Sequence, residues 1–240
     1  MSDRSDHGWW PYVLPMAAFL ALVEIGRRAP DSAFVLFLAL KALVPGALMV
    51  YFARRGRYPE LAGRGVSLPW LGLDLAFGVA LAALWIAPYV LFPSWRPDET
   101  GSTGVALGPD SEPWWLALRL LGFAAVTPFF EELFIRSFAM RAADAWSTGK
   151  DFRLLPLAQF AWPSFLFTVV LFTVNHQPWE YPVCVAWIVL THLWFYWRRD
   201  LWAVIWVHAA TNAAILAAAV WGSSWFDDGS GKPLSLWFFV

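Results

Sequence analysis

Apolar stretches long enough to cross a bilayer recur along the whole chain, and nothing else in the sequence restricts the fold as strongly. A hydrocarbon core of about 30 Å takes about 20 helical residues. Candidate spans of that kind fall at residues 9–25, 33–53, 70–92, 114–138, 160–177, 181–197 and 201–221. Each run is continuously apolar, without the period-2 alternation of a barrel strand, so helices are the way to satisfy the backbone in lipid. Of the 240 residues 59% are hydrophobic and only 15% charged, with a mean hydropathy of +0.52, far from a soluble domain. The expected fold is all-α: a polytopic membrane helix bundle with about seven or eight transmembrane helices, forming one membrane domain over 1–240. The C-terminal LSLWFFV is too brief to span and is expected at the interface.

Charge narrows the partners. A net charge of −1, with basic residues in short clusters between apolar runs, leaves no footprint for nucleic acid. The expected partners are membrane lipid and a membrane-associated polypeptide. Cys184 is the only cysteine, which excludes an internal disulfide. The first run ends at IGRR with no small-residue cleavage site, so it reads as a retained span. A cytoplasmic N-terminus puts Arg4, Arg54, Arg55, Arg57, Arg64, Arg141, Lys150, Arg153, Arg198 and Arg199 inside. Arg27, Arg28, Arg96 and Lys232 then fall outside, and the smaller number outside favours this orientation. The loop over 94–113 becomes external. Arginine-rich, lysine-poor usage points to a bacterial plasma membrane.

Against this background FFEELFIRSF, residues 129–138, places Glu131, Glu132 and Arg136 inside an apolar run, where each charge is costly. Positions four apart share a helix face, so Arg136 can hold Glu132 while Glu131, about 100° around, points elsewhere. Alternatively both acids share Arg136, or sit in water at a helix end. Pro128 just before them removes a backbone hydrogen bond and opens space for water. FTVNH puts Phe172 and His176 four apart near the end of the fifth run. HAATN does the same for His208 and Asn212 in the seventh, beside small alanines that let helices approach. A lone intramembrane histidine is commonly an interhelical hydrogen-bonding group, but polar groups on three separate helices are candidates to converge on one wet site. His192 has no partner at helical spacing and is expected to bond a nearby helix. Glu24 is expected to pair with Lys41, and Asp74 and Arg119 to snorkel from span ends.

The ordered triple EExxxR, FxxxH and HxxxN resembles the three motifs of the CAAX-protease and bacteriocin-processing (CPBP, or Abi) family of intramembrane proteases, to which the type II CAAX prenyl endopeptidases belong. The likeness covers roughly 114–221, the expected catalytic core; residues before it carry no such motif. Size and tryptophan content are similar to a bacterial subgroup labelled CAAX prenyl protease-related, found beside exosortase sorting systems. The resemblance implies an endopeptidase acting near the C-terminus of a lipidated or hydrophobic polypeptide. It implies Glu131 as the base that activates water, aided by His176, with His208 and Asn212 as oxyanion donors and the Glu132 and Arg136 pair holding the geometry. Such roles suit peptide hydrolysis, which needs a base, an acid for the leaving amine and donors for the oxyanion.

A zinc ion held by Glu131, His176 and His208 is the alternative, since two histidines and a carboxylate form a known catalytic set. HExxH is absent, and Asn212 suits hydrogen bonding better than zinc, so no cofactor is expected. A proton-relaying transporter or channel, or a non-catalytic immunity protein, is the competing class. Depth poses a problem: Glu131 and His208 fall in the cytoplasmic half of their spans and His176 near the outer end, a mismatch of about 10 Å.

Overall fold

The computed structural model of the chain describes residues 8–62, 67–97, 113–146 and 149–240. Among them the structure is helical, with no strand beyond an isolated bridge between Asp227 and Pro233. Three helices come first: α1 (Trp10–Arg27), α2 (Phe34–Arg54) and α3 (Leu68–Leu91). A helical rod over 113–146 follows, built from α4 (Pro113–Leu120), α5 (Thr127–Glu132) and α6 (Met140–Trp146), joined by two π-helical segments, Leu121–Val126 and Leu133–Ala139. Then come α7 (Trp162–Val174), α8 (Tyr181–Arg198) and α9 (Leu201–Trp221). The expected all-α membrane bundle is what the chain forms.

Among the described residues three segments are long and apolar enough to cross a membrane: Asp31–Arg54, Leu68–Leu91 and Leu201–Trp221. By contrast α7 has 13 residues, about 20 Å of helix, short of a full hydrocarbon core. The rod over 113–146 runs past the expected end of the fourth span. Arg4, Arg64 and most of the expected external loop, residues 98–112, lie outside the described residues.

Local sequence sets the boundaries. Proline stands in the first turn of α1, α3, α7 and α8, where its missing N–H is no loss and its fixed φ suits the helix. Between α8 and α9 the chain reverses in two residues. Arg199 takes a left-handed conformation (φ 49°) that ends α8, and the Asp200 side chain accepts the Trp202 N–H at 3.1 Å, capping α9.

The most buried spanning segment is α9, with 61% of its apolar window covered against 17% for Asp31–Arg54. It is therefore the central post of the bundle. Its tightest neighbour is α3, where a Cβ on Gly78 would strike the Val207 carbonyl oxygen and the Ala210 methyl. Glycine lets the backbones meet, and the Thr211 hydroxyl spans the contact, 3.0 Å from the Gly78 oxygen.

Contacts between termini define two ends of the bundle. At one, Tyr12 packs on Tyr58 and Phe152, Trp202 donates to the Leu61 oxygen at 3.1 Å, and Asp74 meets Arg198 at 3.0 Å. At the other, the Tyr89 hydroxyl donates to the Trp179 oxygen at 2.9 Å and Arg96 to the Asp228 oxygen at 2.9 Å. The C-terminal segment folds back there: Leu234, Leu236 and Phe239 are buried with Tyr89, Val183 and Ile188, so LSLWFFV completes a core.

Several expectations for single charges change. Asp74 does not snorkel: it is 2% exposed, bonded by Arg198 and by the Trp194 indole at 2.8 Å, because the end of α8 covers it. Glu24 pairs with Arg28 at 2.5 Å and Arg27 at 3.5 Å on its own helix, not with Lys41, which has no ion-pair partner among the described residues. Arg119 is half-buried, with its Nε buried and unbonded. His192 behaves as expected, its Nε2 lying 2.7 Å from the Thr168 hydroxyl on α7.

Candidate active site

Pro128 cannot give its amide to the carbonyl four residues back, and its ring crowds that carbonyl. The chain answers with a wider turn just before it, in which the Thr127 N–H bonds Gly122, five residues back. A second such turn follows the glutamates, with the Met140 N–H on the Ile135 oxygen. The one ordinary helical stretch of the rod's middle, TPFFEE, is thus bracketed by π segments of the kind that recur at functional sites.

This stretch turns Glu131 and Glu132 toward α9 from two sides. Glu132 is fully buried and ion-paired with Arg136, whose other terminal nitrogen donates to the Thr191 hydroxyl on α8 at 2.6 Å. The second Glu132 oxygen lies 2.9 Å from His208 Nδ1. A carboxylate held by arginine only accepts, so Nδ1 carries the hydrogen and donates it. The remaining ring nitrogen, Nε2, is 3.8 Å from the Glu131 carboxylate. One line of contacts therefore runs from Thr191 through Arg136, Glu132 and His208 to Glu131, tying three helices together.

Glu131 opens into a cavity of about 270 Å³, which His176, His208 and Asn212 also line. Because α7 stops at Val174, His176 stands on the connection to α8. Its Nδ1 lies 2.9 Å from the Phe172 oxygen, and a carbonyl only accepts, so the ring donates there and leaves Nε2 free. This bond folds the imidazole back along α7, which brings His176 into the same cavity as Glu131 and His208. Asn212 donates one amide hydrogen to the Phe123 oxygen at 2.8 Å and keeps the other. Phe172 stacks on Trp187, with ring centroids 5.1 Å apart, and Trp187 meets His208 edge-on at 4.7 Å. The walls between the two histidines are thus aromatic.

The structure gathers all six expected site residues, four on the cavity and Glu132 with Arg136 behind His208. Among the described residues no three His, Cys, Asp or Glu side chains form a group that could hold a metal ion. Among the cavity residues that the sequence did not single out are Trp187 and Glu180. Glu180 follows His176 at a spacing of four, the same signal that marked the other pairs.

Over residues 113–214 the chain matches the family model of type II CAAX prenyl endopeptidase, Rce1-like. This segment is similar to the Rce1-like family. No curated protein and no solved structure matches the chain. The Rce1-like segment contains Glu131, Glu132, Arg136, His176, His208 and Asn212, and it begins with α4, leaving α1 to α3 outside. The Rce1-like match, together with the apolar helices around it, supports an integral membrane protein of the CAAX-type intramembrane protease class. Met16, Phe19 and Leu20 of α1 nevertheless wall the same cavity, so the segment outside the match helps to shape the site.

Proposed function

We propose that the protein hydrolyses a peptide bond of a membrane-associated or lipidated polypeptide, using a water molecule activated by Glu131. The observation that carries this reading is the single cavity lined by Glu131, His176, His208 and Asn212 inside an apolar bundle. Glu131 takes a proton from water as the oxygen attacks the scissile carbonyl, and His176 accepts the other water hydrogen at Nε2 and fixes its direction. The oxyanion receives the spare Asn212 amide hydrogen, and a hydrogen from His208 Nε2 when that nitrogen carries one. The carbon–nitrogen bond then breaks, and Glu131 returns its proton to the leaving amine. Glu132 and Arg136 act one step back, by holding His208 in the ring orientation that faces Glu131.

The reading needs no metal. Its orientation follows the basic residues: the end bearing Arg54, Arg198 and Arg199 faces the cytoplasm of a bacterial cell. The CAAX-type substrate, cleaved close to a C-terminus, is taken from the family. Bacteria generally lack prenylated proteins of that kind, so a peptide precursor or sorting-signal protein is the favoured native substrate.

The test is purified protein with a library of hydrophobic and lipidated peptides, read by mass spectrometry. Glu131→Ala and His208→Ala are expected to lose cleavage by about 10²-fold or more while the wild type is unaffected by chelator. Loss of wild-type cleavage on chelation, with recovery on adding zinc, would overturn the metal-free mechanism.

A further inference from the structure

At the α7–α8 end of the cavity stands a second acid. Glu180 closes the short turn Pro178–Glu180, lines the same cavity as Glu131 and is half-buried. One carboxylate oxygen accepts the Gln177 backbone N–H at 3.1 Å. No basic side chain pairs with Glu180 among the described residues. The other polar groups at this end, Asn175 and Gln177, are uncharged amides, and no lysine or arginine among the described residues lines the cavity. Arg136 is engaged by Glu132 behind His208, and Arg96, at this end of the bundle, donates to the Tyr89 and Asp228 carbonyls and does not line the cavity. Whatever enters therefore meets an acid at this end with no lysine or arginine on the cavity wall to offset it.

Resting on the peptidase reading, we infer that Glu180 sets a charge preference: the enzyme takes polypeptides that bring a basic side chain to this end and disfavours those that bring a carboxylate there. A cavity of this volume is on the order of 8 Å across, about two residues of extended chain, so the selected residue lies within a few positions of the scissile bond. In a site shielded from water, like charges repel and opposite charges attract far more strongly than in bulk solvent. This departs from a substrate whose free C-terminal carboxylate rests at the α7–α8 end.

Burial pushes the Glu180 carboxyl up to about 7, so its charge is present at pH 8 and fades toward pH 6. Glu131, His176 and His208 line the same cavity, and Tyr89 and Cys184 lie near Glu180. A Glu180→Gln comparison isolates its share of any pH effect. That variant keeps an oxygen for the Gln177 N–H and removes only the charge.

The experiment measures binding by fluorescence anisotropy to the Glu131→Gln protein in nanodiscs. The probes are hydrophobic peptides carrying Lys, Gln or Glu at each position in turn. At one register, at pH 8, the Lys peptide is expected to bind about tenfold more tightly than the Glu peptide. The ratio is expected to shrink by pH 6, and to fall within about twofold at both pH values in the Glu131→Gln, Glu180→Gln protein. An unchanged ratio in that double variant, or binding with no charge preference at any register, overturns this inference alone. Failure of every peptide to bind overturns it together with the peptidase reading.

Discussion

The cost of burying Glu132 and Arg136 is offset only while both are present, with His208 and Thr191 meeting their remaining bonds. Arg136→Met leaves a buried carboxylate without its cation and is expected to destabilise the fold by about 3–5 kcal/mol, read from thermal unfolding in detergent. A Glu132→Gln, Arg136→Met protein should recover much of that stability yet remain slow, because His208 loses the carboxylate that orients its ring. Recovery of activity along with stability would show that the pair is only structural. The i,i+4 spacing made Glu132 and Arg136 legible as partners, since the helical repeat alone brings them together. The bond from His208 to Glu132 spans 76 positions and that from Arg198 to Asp74 spans 124, so both depend on how helices pack. For the same reason the expected snorkelling of Asp74 did not survive, whereas Glu24 takes Arg27 and Arg28, three and four positions on, in place of Lys41, a pairing that helical spacing does carry. Local spacing carries no information about which other helix covers a charge.

At the scale of elements, the contact between α3 and α9 and the short turn into α9 hold the site's central post in place. Gly78→Val pushes a side chain into the Val207 carbonyl and the Ala210 methyl and is expected to cost about 1–3 kcal/mol or more, seen as a lower unfolding midpoint. Asp200→Ala removes the cap of α9 at a cost of about 1 kcal/mol, with Asp200→Asn largely neutral. A neutral Asp200→Ala would mean that packing alone fixes that terminus. Continuous apolar runs made the helices readable, because lipid leaves the backbone no other solution. The two π segments were not readable: only Pro128 hinted at the first, and no residue pattern marks the second. Nor was the end of α7 at Val174, which is what lets His176 reach the cavity despite the depth expected from a span ending at 177.

Across the whole molecule, segments far apart in the chain close the site. The C-terminal segment seals the end that holds Glu180, with Leu234, Leu236 and Phe239 packed on Tyr89, and Phe239 lining the cavity itself. Deleting residues 234–240 is expected to lower the unfolding midpoint by roughly 10 °C or more, since several buried apolar side chains are lost together. An unchanged midpoint would place this segment outside the folded unit. The cavity walls, unlike the motifs, were hidden in the sequence, because an apolar residue facing a cavity and one facing lipid look alike. The measurement closest to the heart of the proposal is a mutant cycle on peptide cleavage with Glu131→Gln, His176→Ala and both together. If the two side chains serve one water, the double variant is expected to cleave within about threefold of the slower single variant. Losses that multiply would contradict a shared water and separate the two groups into independent roles.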